Sequence, residues 1–236
     1  MYEYALQIGV SHIGKDGLLK PGAAMDLLQN ATWFQMDTET PLMDYFEKTH
    51  SGMYLVSRQI DITRLPAYGE RVRVKSWVRS CDRLFGYRHT ALYDAADRLC
   101  LGSYAVGAFV DLAKGTPTRI PQEILDTVAA QGPLDMEILP RKIPVPDTLE
   151  PSGDAIKVQS YHLDNYGHMN NARYVDIASA YIPEDFPIRR IRAEYKIPAQ
   201  PGDLIFPFVG PVGETARVVT LNTKDAAPYT VMEFTR

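Results

Sequence analysis

The chain has 236 residues, 45% hydrophobic and 23% charged, with a formal net charge of −4. That length and composition can bury a core in one large domain or two small ones, and the acidic balance argues against a nucleic-acid-binding protein, which needs a dominant basic field. The opening MYEYALQIGV carries no basic leader, and no run of roughly 18 apolar residues occurs, so the chain reads as cytoplasmic, with no membrane insertion. Cys81 and Cys100 are too few for a disulfide framework. The five histidines are scattered, with no H-E-x-x-H, no C-x-x-C and no glycine-rich phosphate loop, so no metal or other cofactor is expected.

Residues 2 to 10 read as an extended, half-buried segment. DGLLKPG then leads into a helix through Pro21 in its first turn. Ala24, Leu27, Leu28, Ala31 and Gln35 share one face of that helix, which the pattern carries to about Asp37, with Pro41 opposing a clean continuation. Four β-rich runs follow: YLVSRQIDITR, ERVRVKSWVRS, FGYRHTALYD and RLCLGSYAVGAFVDL. Turn residues at Tyr68-Gly69, Cys81-Asp82 and Ala95 to Asp97 make them a mostly antiparallel meander. Between 128 and 151 five prolines fall without a sustained period, which marks a linker.

Beyond the linker the order of elements repeats. Segment 155 to 161 corresponds to the first strand, Gly167 to Tyr181 to the first helix, and IRRIRAEYKIPAQPGDLIFPFV to the strands around Pro66. An ungapped comparison pairs Gly17 with Gly167 and Asp26 with Asp176. It sets Gly14 where Asp164 stands and Leu18 where His168 stands, so only the second copy has the polar set. A small gap would instead bring Asp16 to the acid position.

That polar set is the densest chemistry in the chain. Asp164, Asn165, His168, Asn170 and Asn171 crowd around Gly167, just ahead of a helix whose apolar positions are Tyr174, Ile177, Ala178 and Tyr181. Asn170 or Asn171 can cap that helix, and its amide end would stabilise an oxyanion while Asp164 or His168 serves as base or nucleophile. Asparagine and aspartate before a helix are also ordinary caps.

The string D-x-x-G-H-x-N-N-x-x-Y, from Asp164 to Tyr174, resembles the active-site loop of hotdog-fold thioesterases. The surrounding chain resembles the acyl-ACP thioesterases, which release fatty acids from acyl carrier protein. Residues 54 to 77 resemble the family's paired strands around a Pro-x-x-Gly-acid turn, and 109 to 124 the exit of its first domain. The resemblance implies an α+β fold of two tandem hotdog domains, each a long helix wrapped by a mostly antiparallel sheet. Residues 1–127 would form an acyl-binding domain, 128–151 the Pro-rich linker and 152–236 the catalytic domain.

It further implies fatty acyl-ACP hydrolysis, with Asp164 as acid, His168 as histidine, Asn165 assisting, and Gly167, Asn170 and Asn171 at the oxyanion end. Two departures stand out. Tyr166 replaces an asparagine of the family loop. In the later run E-Y-R-R-E-C-G, the second acid and the cysteine become Pro198 and Ala199, leaving Glu194 as the one acid nearby. A hydratase or dehydratase on acyl thioesters, or a non-catalytic acyl-binding hotdog protein, are the alternatives. Basic clusters at Arg71, Arg73 and Lys75, and at Arg189, Arg190, Arg192 and Lys196, would suit an acidic carrier protein or CoA. An exposed sheet edge would allow pairing into a homodimer.

Overall fold

A computed structural model describes residues 1–236. β1 (Tyr2–Gln7) leads through a short turn into α1 (Pro21–Met36), α2 (Thr40–Thr49), β2 (Ser51–Ile62), β3 (Arg71–Cys81), β4 (Phe85–Asp94) and β5 (Leu99–Asp111). The short β6 (Thr116–Pro117) and α3 (Gln122–Leu125) close the first half. The last two residues of the expected 128–151 linker instead pair with the second half's sheet as β7 (Glu150–Pro151), and after them come β8 (Ile156–Lys157), α4 (Asn171–Ser179), β9 (Arg190–Tyr195), β10 (Leu204–Val212), β11 (Ala216–Asn222) and β12 (Pro228–Thr235).

All pairings among these strands are antiparallel, and they form one continuous sheet in the order β1-β3-β4-β5-β2-β9-β12-β11-β10, with β7 and β8 on β10. Strand β2 joins β9, so each half presents the same strand order to a shared seam. At that seam Arg58 pairs with Ala193, Gln59 with Arg192 and Ile60 with Ile191.

Helix α1 starts where expected, with Pro21 at its first position, where the missing N–H costs nothing. It buries Ala24, Leu27, Leu28 and Ala31 against the sheet, while Gln35 Oε1 accepts a 2.8 Å bond from Ser76 Oγ. Pro41 does more than stop α1: it opens α2 near its N-terminus. Helix α4 is shorter than its apolar pattern, ending at Ser179. The two helices pack on one another at Gly22, where a Cβ would run into the Asp176 carboxylate. Arg173 clamps this contact by pairing with both Asp26 and Asp176.

The linker lies across the sheet face opposite the helices. Gly132 O accepts from Trp77 Nε1, Glu137 O from Gln59 Nε2, and Pro140 O from Arg192 Nη2. These bonds fasten it over both halves and the seam, satisfying backbone groups that have no ladder of their own. No helix is long and apolar enough to cross a membrane.

Candidate active site

The loop before α4 is built by its own hydrogen bonds. Asp164 N–H donates to His168 O at 2.8 Å, Gly167 N–H to Asp164 O at 3.1 Å, and Gly167 sits at φ +77°, a left-handed conformation that favours glycine. Asp164 Oδ1 accepts from the amides of Tyr166 at 2.9 Å and His168 at 3.2 Å. One carboxylate oxygen thus holds the turn, and Oδ2 has no partner within the chain. Asn170 caps α4 by accepting from Ala172 N–H at 2.9 Å.

The first half builds the same turn without the chemistry. Gly14 N–H bonds Leu18 O, Gly17 sits at φ +75°, and the acid that caps Leu18 N–H is Asp16, which is exposed. His12 O accepts from Lys20 N–H as His162 O accepts from Asn170 N–H. The ungapped register therefore holds, and no gap moves Asp16 to the place of Asp164.

Asp164, Asn165, Tyr166, His168, Asn170 and Asn171 line a cavity of about 480 Å³, a size suited to a small-molecule site. Its other walls come from both halves: Tyr174 and the run from Tyr195 to Pro198 in the second, and in the first Trp33 and Met36 of α1, Met53 to Val56 and Arg58 of β2, and the adjoining face of β4 and β5. Tyr54 packs edge-on against the His168 ring at 5.7 Å and against Tyr166, which in turn meets Trp33. Burial, and then the charge of Asp164, push the Tyr54 hydroxyl above its ordinary range. No hydrogen bond joins the His168 ring to the Asp164 carboxylate; both residues line the cavity, where a substrate or water would bridge the two groups.

The amides expected to hold an oxyanion are mostly committed. Gly167 and His168 N–H bond within the loop, Met169 N–H donates to Ala199 O at 3.0 Å, and Asn170 N–H to His162 O at 2.8 Å. The N–H of Asn171, first residue of α4, is the one in this run with no partner in the chain. Its counterpart in the first half is Pro21, which has no N–H. Tyr195 Oη donates to Asn171 O at 3.2 Å, and Asn171 Nδ2 to Gln29 of α1, also at 3.2 Å.

Glu194 stands apart from this group. Its carboxylate accepts from Ile143 N–H and Lys196 Nζ, and it does not line the cavity, whereas the next residue, Tyr195, does. Successive strand side chains face opposite sides, and Glu194 faces the linker. Pro198 lines the cavity where the family pattern would set an acid. Sequence reading did not pick out Tyr54, Gln29, Arg58 or Arg88, all in the cavity wall; no motif spacing links them to the loop, and only the fold brings them there.

The basic clusters are largely neutralised. Arg73 pairs with Glu3 and Asp97, Lys75 with Glu3, Arg190 with Asp61, Arg192 with Glu233 and Lys196 with Glu194. Exposed and without an acid partner are Arg71 and Arg189.

Two helix-backed halves sharing one antiparallel sheet, with a polar loop at a helix N-terminus facing a shared cavity, define a double-hotdog protein. The chain belongs to the acyl-ACP thioesterase family: the model of that family's N-terminal domain matches residues 1–128 and that of its C-terminal domain residues 147–220. It is a thioester hydrolase of acyl-ACP.

Solved structures agree on the fold. An acyl-ACP thioesterase from Bacteroides thetaiotaomicron superposes with a TM-score of 0.90 at 20% identity, covering 99% of this chain and 96% of that one. The 12:0-ACP thioesterase from Umbellularia californica superposes with a TM-score of 0.83 at 15% identity, covering 99% and 96%. No match was found among curated protein sequences.

Proposed function

We propose that Asp164 and His168 carry out the hydrolysis, with the Asn171 N–H as the oxyanion donor. The acyl chain enters the hollow of the first half, and its thioester carbonyl lies between the 164–168 loop and the end of α4. Asp164 Oδ2, left free while Oδ1 holds the loop, takes a proton from a water that attacks the carbonyl carbon. The carbonyl oxygen gains the negative charge and meets the Asn171 N–H and the positive end of α4. As the tetrahedral intermediate collapses, the carbon–sulfur bond breaks and His168 delivers a proton to the departing sulfur. The products are the carboxylic acid and the carrier thiol, and the proton on Asp164 passes through water to His168, which restores both groups for the next turnover.

The division of labour follows from the two copies. The first half supplies the binding wall and the second the chemistry, which is why Gly14, Leu18 and Pro21 can stand where Asp164, His168 and Asn171 do. The carrying observation is the shared cavity: loop and helix end from one half face a hollow in the other.

Asp164→Asn tests the assignment. An asparagine oxygen still accepts the Tyr166 and His168 amides, so the loop keeps its shape while the base is lost. Thiol release from acyl-ACP should fall by about a hundredfold or more, the usual worth of a general base. Turnover within threefold of the parent would exclude Asp164. A change in enoyl absorbance without thiol release would favour a hydratase instead.

A further inference from the structure

The cavity contains charges that a plain alkyl chain does not use. Arg58 on β2 and Arg88 on β4 both line it, only 3% and 4% exposed. Arg58 donates to two hydroxyls, Thr90 Oγ1 at 3.2 Å and Thr32 Oγ1 at 3.5 Å, and its Nε has no partner. Arg88 Nη2 bonds Glu39 Oε2 at 2.6 Å, while its Nη1 has none. Glu39 is the only carboxylate paired with either arginine. Burial lowers the Arg58 pKa to about 10, which leaves it charged at neutral pH. Two buried cations thus share one anion.

An arginine kept only for packing would be saturated, because an unpaired buried charge is costly. The second half shows the apolar solution. Leu19 N–H bonds Pro66 O as Met169 N–H bonds Ala199 O, so Pro66 corresponds to Ala199 and, counting back along the strands, Arg58 to Ile191. Ile191 is 1% exposed in the main core, and that half has no matching hollow. The sheet can therefore close with isoleucine at this position, and the first half has a guanidinium instead.

We propose that Arg58 and Arg88 form a carboxylate subsite within the acyl cavity, so that the enzyme takes thioesters whose acyl group carries a second carboxylate, the monothioesters of dicarboxylic acids. A carboxylate supplies one negative charge and acceptors for both unpaired donors, Arg58 Nε and Arg88 Nη1. A hydroxyl could satisfy one donor but would leave the charge. The anion must belong to the acyl group, because both arginines are buried in the wall of the cavity that, on this reading, also receives the thioester. This inference rests on the hydrolase reading, and the test separates the two.

Carrier-protein thioesters are made in sets of equal chain length ending in methyl, hydroxyl or carboxylate, over a ladder of lengths, and kcat/KM is measured for each. The free mono- and dicarboxylic acids are titrated calorimetrically in parallel. At the best length the carboxylate-ended substrate should exceed the methyl-ended one by about tenfold to a hundredfold, as charge-assisted hydrogen bonds imply. Arg58→Met should erase that ratio and Arg58→Lys keep part of it. Glu39→Gln, which frees Arg88, should enlarge it. Each ratio is taken within one variant, so a poorly folded fraction cancels, and a gain in Glu39→Gln cannot come from unfolding.

A methyl-ended preference unmoved by Arg58→Met overturns the subsite and leaves the hydrolase standing. An equal preference for the hydroxyl-ended chain overturns the carboxylate assignment. If no substrate releases thiol, the hydrolase reading fails and calorimetry decides: dicarboxylate binding lost in Arg58→Met supports the subsite, and its absence overturns it.

Discussion

Replacing Asn171 with proline removes one atom pair from the proposed chemistry and almost nothing from the fold. Proline at the first helical position lacks an N–H that the helix does not use, and Pro21 already occupies the equivalent place in α1. Asn170, at φ −61° and ψ 137°, already has the extended backbone that a residue before proline requires. The side chain surrenders its 3.2 Å bond to Gln29, worth about 0.5–1.5 kcal/mol. The stiffer unfolded chain returns roughly 0.4–1 kcal/mol. The melting temperature should therefore move by no more than about 4 °C. Loss of an oxyanion donor, by contrast, lowers kcat by about a hundredfold or more. Asn171→Ala is the control, since it deletes the same side chain and keeps the N–H. Thiol release from acyl-ACP is measured for both variants alongside thermal unfolding. Equal turnover in Asn171→Pro and Asn171→Ala would refute the oxyanion assignment.

His168→Ala should reduce kcat by about a hundredfold, with a smaller change in KM, as steady-state kinetics will show; the reverse pattern would make His168 a binding residue. Gly22→Ala puts a methyl into the Asp176 carboxylate where the helices touch, and overpacking of this kind costs about 1–3 kcal/mol, read as a lower midpoint in urea. His89 is fully buried between Trp77 and Tyr104, and burial holds its pKa below the ordinary 6.5. The unfolded chain then binds a proton that the folded one refuses, so stability is undiminished above that value and falls as pH drops through it, by up to about 1.4 kcal/mol per unit. His162 is shifted the same way and adds to the slope. Denaturant unfolding between neutral and mildly acidic pH should show a shallower decline in His89→Gln; an unchanged one would refute the assignment.

Much of this was legible from local pattern. Pro21, the apolar face of α1, the turn at Gly69 and the glycine at 167 are short-range signals that act through backbone geometry, and each is where the sequence suggests. The repeat was legible as well, because Gly17 and Gly167 must both take a left-handed conformation for the same turn to form. What escaped were consequences of long-range pairing. The alternation of β9 sends Glu194 to the linker and Tyr195 to the cavity, and that facing is set by strand register rather than by the run E-Y-K-I-P. Helix α2 was hidden because Pro41 reads equally as a stop or as a first turn. The basic clusters read as free charge because their acids, such as Asp61 for Arg190 and Glu233 for Arg192, are distant in sequence.

The asymmetry of the two halves explains why a duplicated fold has one cavity rather than two. The seam is nearly symmetric about the Gln59–Arg192 pair, so any site built across it has a mirror position that must be used or filled. A second hollow without the loop chemistry would have no function to offset its loss of packing, since empty volume forfeits contacts on every side. The chain fills it: Ile182, Phe186 and Ile191 join the main core on the side where the first half is open. The losses are complementary. The first half has given up Asp164, His168 and the Asn171 N–H for Gly14, Leu18 and Pro21, and the second has given up the open wall. On the proposed mechanism a loop without a hollow and a hollow without a loop are each inert alone, so the β2–β9 ladder that unites them is as necessary to that reaction as the residues that would touch the substrate.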